Sequence, residues 1–163
     1  MEGFGDRLFK TACLLCGNAA TAEDLVARTF AHAIAKIGQF GEDVSFFGWL
    51  CAILVNFRRM DLRKKGANAL VFPGTEPDAV DTRPNPAEEL DAKDRAAAVR
   101  MAVASLSPAL REVVILRYFN DMTEAEAALA LAVPIGTVKS RLSEAKKKMK
   151  KEIRRTFQGE RAL

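Results

Sequence analysis

The chain has 163 residues, 49% of them hydrophobic, with a formal net charge of +4 and a pI near 9.1, enough for two small cores that are each close to the lower size limit for independent folding. The apolar run Trp49 to Val55 is far too short to span a bilayer and the N-terminus carries no basic leader, so no membrane insertion is expected and the protein is placed in the cytoplasm. A Gly-rich phosphate loop is missing and His32 is the one histidine, which leaves no Ser-His-Asp set, so neither catalysis nor a cofactor is expected.

Apolar residues recur at helical spacing in Leu8, Ala12 and Leu15, and again in Leu25, Phe30, Ile34 and Ile37, whereas strand-type alternation is hard to find. The fold class is therefore all-α: two small helical domains joined by a flexible acidic linker. Helices are expected near residues 5–16, 21–37, 45–65, 88–105, 108–119, 123–131 and 135–156. Residues 58–65 hold five Lys or Arg against Asp61, and residues 139–155 hold nine against two Glu. Both basic blocks end a helix, as a phosphate-binding surface would require. Between them, residues 67–94 contain Pro73, Pro77, Pro84 and Pro86 and seven acids against two bases, the composition of a tether stiffened by proline and extended by self-repulsion. The domain boundaries drawn on this basis are 1–66, a linker over 67–93, 94–157, and a tail over 158–163. An acidic linker between two basic domains also predicts a free form that is compact, with its DNA-binding faces partly covered.

The segment from Thr123 onward carries the sharpest pattern. Thr123 and Glu126 have the spacing of a capping box, the following helix runs to Leu131, and Pro134 cannot continue it. Gly136 and Thr137 offer a turn and a second cap, which makes a helix-turn-helix. Val138 and Leu142 face inward, and Lys139, Ser140, Ser143, Glu144 and Lys146 face outward. A polar, mostly basic helix face of this kind is shaped for the DNA major groove.

The words of this segment, Gly136-Thr137-Val138-Lys139-Ser140-Arg141-Leu142, resemble the recognition helix of bacterial sigma factors of the extracytoplasmic-function (ECF) group, and Leu106 to Tyr118 resembles the helix that opens their region 4. Ala22-Glu23-Asp24-Leu25-Val26-Ala27-Arg28-Thr29-Phe30 independently resembles the region 2 signature, and Phe46 to Asn56 is similar to the Trp-Leu-x-x-Ile-x-x-Asn helix that follows it. This resemblance implies that Asp24, Leu25, Ala27, Arg28 and Phe30 dock on core RNA polymerase. It implies a minus-ten contact by Phe40, Phe46 and Asn56, with Arg58, Arg59, Arg63, Lys64 and Lys65 on phosphates. It places Lys139, Ser140, Ser143 and Glu144 next to the bases of a minus-thirty-five element, with Arg141, Lys146 and Lys147 on phosphates. Phe47 and Trp49 are read as core. Arg111 and Arg117 are placed near the DNA backbone, or, for Arg111, against an acid within the domain. The implied partners are core RNA polymerase, promoter DNA and an anti-sigma factor, with the free protein monomeric; the linker either tethers passively or threads the polymerase channel.

Several positions depart from the family pattern. Ala27 and Arg28 replace a Gln and an acid, Glu144 stands where Arg is common, and Asn56 and Asp61 are five apart. That spacing, together with Leu62-Arg63-Lys64 and Cys16-Gly17-Asn18, resembles the alphaproteobacterial general stress response subgroup, which implies control by a small anti-sigma and a phosphorylation-dependent decoy. A stand-alone helix-turn-helix regulator or a sigma-like module that only binds its regulator are the competing readings. Cys13, Cys16 and Cys51 are read as small buried residues on helices, not as zinc ligands with His32.

Overall fold

The computed structural model describes residues 3–41, 43–66 and 86–160, the last of these with side chains over 92–157. Its elements are α1 (Phe4–Cys16), α2 (Ala19–Lys36), a 3-10 turn (Ile37–Gln39), α3 (Phe46–Lys65), α4 (Pro86–Ala104), α5 (Pro108–Val114) running into a π-helical turn (Ile115–Phe119), α6 (Glu124–Leu131) and α7 (Ile135–Glu160). Among the described residues every regular element is helical.

Local chemistry explains where the helices stop and start. Gly17 adopts φ 67° and its N–H donates to the Cys13 carbonyl at 2.7 Å, a left-handed C-terminal cap that glycine adopts without strain. Asn18 then caps α2 by accepting from the Thr21 N–H at 3.0 Å, and Ser45 caps α3 by accepting from the Gly48 N–H at 3.1 Å. The capping box at Thr123 forms as the spacing predicts: its hydroxyl accepts from the Glu126 N–H, and its own N–H donates to the Glu126 carboxylate at 2.7 Å. The Thr123 N–H and hydroxyl, both donating to the Glu126 carboxylate, hold its carboxyl below its ordinary pKa.

The corner of the helix-turn-helix is built differently from the prediction. Ala132, with φ 53°, makes the left-handed turn, and Gly136 and Thr137 already lie inside the first turn of α7. Thr137 N–H and Val138 N–H both reach back to the Pro134 carbonyl, so α7 starts without needing a turn at Gly136. Helix α4 starts at Pro86, two residues before the expected 88, so residues 86–93, which the domain division left in the linker, are helical; a proline followed by acids marks a helix start. The rest of the predicted linker, 67–85, lies outside the described residues, as do 161–163 of the predicted tail.

Helices α1 to α3 enclose Leu8, Ala12, Leu15, Ala22, Leu25, Leu50 and Leu54, while α4 to α7 enclose Val103, Leu110, Val113, Leu116, Leu131, Val138 and Leu142. The two groups are continuous. Helix α3 packs against α6, and α1 packs against α4, α5 and the π-helical turn, so both units share one buried cluster. Ile34 and Ile37, placed on the core periodicity of this segment, are 74% and 54% exposed, because among the described residues no other helix covers the end of α2 beyond Ala33 or the 3-10 turn that follows.

Candidate nucleic-acid interface

Helix α7 presents its two faces as the spacing predicts. Val138, Leu142 and Ala145 are buried, whereas Lys139, Ser140, Ser143, Glu144, Lys146 and Lys147 are exposed and Arg141 is half-buried. The outward groups are not electrostatically independent. Lys148 pairs with Glu144 at 2.8 Å one helical turn away, which offsets the carboxylate that would otherwise repel a phosphate. Lys139 lies 3.9 Å from Glu124 of α6. Ser140 donates its hydroxyl proton to the Thr137 carbonyl at 3.0 Å, so its oxygen faces outward as an acceptor.

The other basic block divides into exposed and engaged residues. Asn56, Arg63, Lys64 and Lys65 are exposed along α3. Arg59, assigned to DNA phosphates, is instead held inside the protein: Nη2 donates to Glu112 Oε2 at 2.7 Å, Nε to Glu112 Oε1 at 3.1 Å, and Nη1 to the Leu131 carbonyl at 3.0 Å. The physical reason is a buried carboxylate, since Glu112 is 3% exposed and needs a cation that matches its two oxygens. Arg58 is half-buried, with its Nε enclosed. Arg111, placed near the DNA backbone or against an acid, is 2% exposed and so lies away from any DNA surface, and it donates to the carbonyls of Val103, Ala104, Leu106 and Leu15.

Before α3 lies a cluster of rings. Phe40, Phe46 and Trp49 are half-buried with centroids 5.3 to 5.9 Å apart, and Phe4 meets Phe46 edge-on at 5.6 Å. Phe47 is core, as predicted, and Trp49, also assigned to the core, is half-buried and packs against it while meeting the Phe40 and Phe46 rings. Aromatic walls at a loop are suited to stacking an unpaired base.

On α2, Asp24 and Ala27 are exposed, Arg28 and Phe30 are half-buried, and Leu25 is fully buried at 0% exposure. Leu25 is thus a core residue and not a docking residue. We expect Leu25→Ala to lower the unfolding free energy by about 3 kcal/mol, read by urea denaturation, as fully buried leucines do. Arg28 donates to Asp61 at 2.8 Å and to Asp24 at 3.3 Å, with its guanidinium over the Phe57 ring. Sequence reading missed these acidic partners; the uncommon pairing of a basic residue at 28 with Asp61 on α3 was the available signal. It also missed Ala31 and Ile34, which extend Asp24 and Ala27 into an exposed stripe at helical spacing along α2.

All three cysteines are free; Cys16 and Cys51 are buried and Cys13 is half-buried. Burial pushes the Cys51 thiol up to about 12, and it raises Cys13 and Cys16 as well, so all three are thiols at neutral pH. His32 is exposed and packs edge-on against Phe57. No helix among the described residues is long and apolar enough to cross a membrane.

Fold and surface together define a two-unit helical DNA-binding protein with a helix-turn-helix at its C-terminal end. Residues 1–68 match the Sigma-70 region 2 model and residues 96–149 the Sigma-70 region 4 model. The chain is similar to the ECF RNA polymerase sigma factor EcfG of Rhodopseudomonas palustris, with 30% identity over 138 residues that cover 85% of this chain and 74% of that protein. It is also similar to SigW of Bacillus subtilis, 24% identical over 93% of this chain and 85% of that one. Among solved structures it resembles the sigma factor RpoE in complex with the anti-sigma factor NepR from Bartonella quintana, with TM-score 0.71, 29% identity, and coverage of 93% of this chain and 92% of that one. The chain belongs to the ECF RNA polymerase sigma factors.

Proposed function

We propose that this chain directs core RNA polymerase to two-element promoters, with α7 reading the minus-thirty-five element and the aromatic cluster before α3 receiving a base at the minus-ten element. The observation that carries this reading is the exposed basic face of α7, held at a fixed angle by the capped α6 and the Ala132 turn. Lys139, Ser140, Ser143 and Glu144 stand where base edges would pass, with Arg141, Lys146 and Lys147 on phosphates. Phe40 and Phe46 stack the extruded base, and Asn56, Arg63 and Lys64 hold the adjacent strand. The exposed stripe Asp24, Ala27, Ala31 and Ile34, beside Arg28 and Phe30, serves as the polymerase contact, with Ala27, Ala31 and Ile34 as its apolar part and Asp24 as its charged edge.

The protein works as a cytoplasmic initiation factor that contributes binding and strand separation, and the polymerase supplies the chemistry. The similarity to the RpoE complex with NepR supports control by an anti-sigma factor. Permanganate footprinting tests the assignment of the two units. Thymines at the minus-ten element become reactive only with polymerase and protein together, and Phe46→Ala removes that reactivity while the minus-thirty-five element stays protected. Unchanged strand opening in Phe46→Ala contradicts the role given to the ring cluster.

A further inference from the structure

Among the described residues, hydrogen bonds tie the α1–α3 unit to the α4–α7 unit at several points. Arg59 of α3 makes the fork with Glu112 of α5 and donates to the Leu131 carbonyl at the end of α6. Arg111 Nη1 donates to the Leu15 carbonyl at the end of α1. The Thr11 hydroxyl donates to Asn120 Oδ1 at 3.0 Å, and Asn120 Nδ2 donates to Cys51 Sγ at 3.7 Å, closing over a thiol of 0% exposure.

The closed arrangement is too short for the task assigned above. Elements named minus ten and minus thirty-five are roughly 25 base pairs apart, about 85 Å of duplex. A globule of this length has a radius of gyration of about 15 Å and a diameter of about 40 Å. Both elements are contacted only after the units separate. Separation also frees Arg59, the one basic-block residue of α3 whose guanidinium is fully engaged within a buried carboxylate fork.

We propose that the Arg59 fork on Glu112 and the Leu131 carbonyl is an autoinhibitory latch, in which one guanidinium either closes the two units on each other or neutralises a promoter phosphate. The closed state is intrinsic to the chain, and a regulator captures it without having to create it. Opening is driven by whatever binds the separated units better, polymerase and DNA, because a ligand shifts such an equilibrium only by its differential affinity. The latch rests on the promoter-binding reading for its purpose, yet its test needs neither DNA nor polymerase.

The test is small-angle scattering and native-state alkylation of Cys51 on the full chain, for the wild type, Glu112→Gln, and the exchanged pair R59E/E112R. Wild type is expected to have a radius of gyration near 15 to 17 Å and a Cys51 that reacts slowly. Glu112→Gln, which keeps the shape and removes the charge, should raise the Cys51 rate at least tenfold and enlarge the particle while helical content is kept. The exchanged pair regains the ion pair and should move both readouts back toward wild type, short of full recovery because a carboxylate at position 59 cannot donate to the Leu131 carbonyl. A wild-type radius above about 20 Å overturns the latch whatever the variants do, as does a Glu112→Gln protein indistinguishable from wild type, or an exchanged pair as open as the single variant. A latch confirmed in a protein that fails to open promoters would separate this inference from the functional reading on which it rests.

Discussion

Replacing Arg111 by Leu is expected to lower the unfolding free energy by about 3 to 5 kcal/mol, the range for removing one partner from a buried charged network. Its guanidinium donates to the carbonyls of Ala104 at 2.6 Å, Leu106 at 2.9 Å, and Val103 and Leu15 at 3.3 Å. Leu15, Val103 and Ala104 belong to the last turns of α1 and α4, where carbonyls run out of helical partners, and of the three the Val103 carbonyl also accepts from the Leu106 N–H at 3.2 Å. Arg111 therefore supplies from the side what neither helix end can supply for itself, and it does so for both units. Burial pulls its pKa down to about 10, which still leaves it charged at neutral pH. Leucine would fill the space and leave these acceptors dry. Urea denaturation at pH 7 measures the change; a loss below about 1 kcal/mol would mean that water replaces the guanidinium easily.

The second large effect concerns DNA. Substituting Lys146 and Lys147 by Ala should flatten the salt dependence of promoter binding by the polymerase complex by about 1.8 in log–log slope, two phosphate contacts at about 0.9 each. Extrapolated from 1 M salt, that is roughly a 60-fold loss of affinity at 0.1 M. The loss should be nearly uniform over promoter sequences. Lys139→Ala should behave differently, altering which promoters are preferred with a smaller change in slope, because the proposed reading puts it next to the base edges. Equal slopes for wild type and the Lys146/Lys147 double variant would remove α7 from the phosphate backbone. Glu144 needs no such removal to be tolerated, since Lys148 at 2.8 Å already balances it.

What could be read from the sequence was local. The capping box at Thr123, the inward Val138 and Leu142, and the helical character of the chain all follow from residues within one or two turns of each other. The corner was placed correctly but assigned to Gly136, because a glycine is the usual host of a positive φ and nothing in the sequence marks Ala132 as one. Leu25 was misread for another reason. A family signature mixes residues that touch a partner with residues that carry them, and spacing within α2 alone does not say which side the core lies on. Arg59 and Glu112 are 53 positions apart, and Arg111 and Leu15 are 96 apart, so no periodicity could join them. Their pairing was hidden by composition as well: Arg59 stands in a basic block whose other exposed members are solvated, and a single acid after Arg111 looks like ordinary helix surface. The expectation of a compact protein rested on an acidic linker between two basic domains; among the described residues the units meet through buried, hydrogen-bonded contacts.

The most direct measurement is transcription in vitro from a pool of genomic promoter fragments, with core RNA polymerase in the presence and absence of this protein. Start sites that arise only when the protein is added, preceded by two shared sequence elements with a fixed spacing, are the predicted result. Tight duplex binding by the protein alone with no new start sites would contradict the account and make the helix-turn-helix that of a conventional regulator.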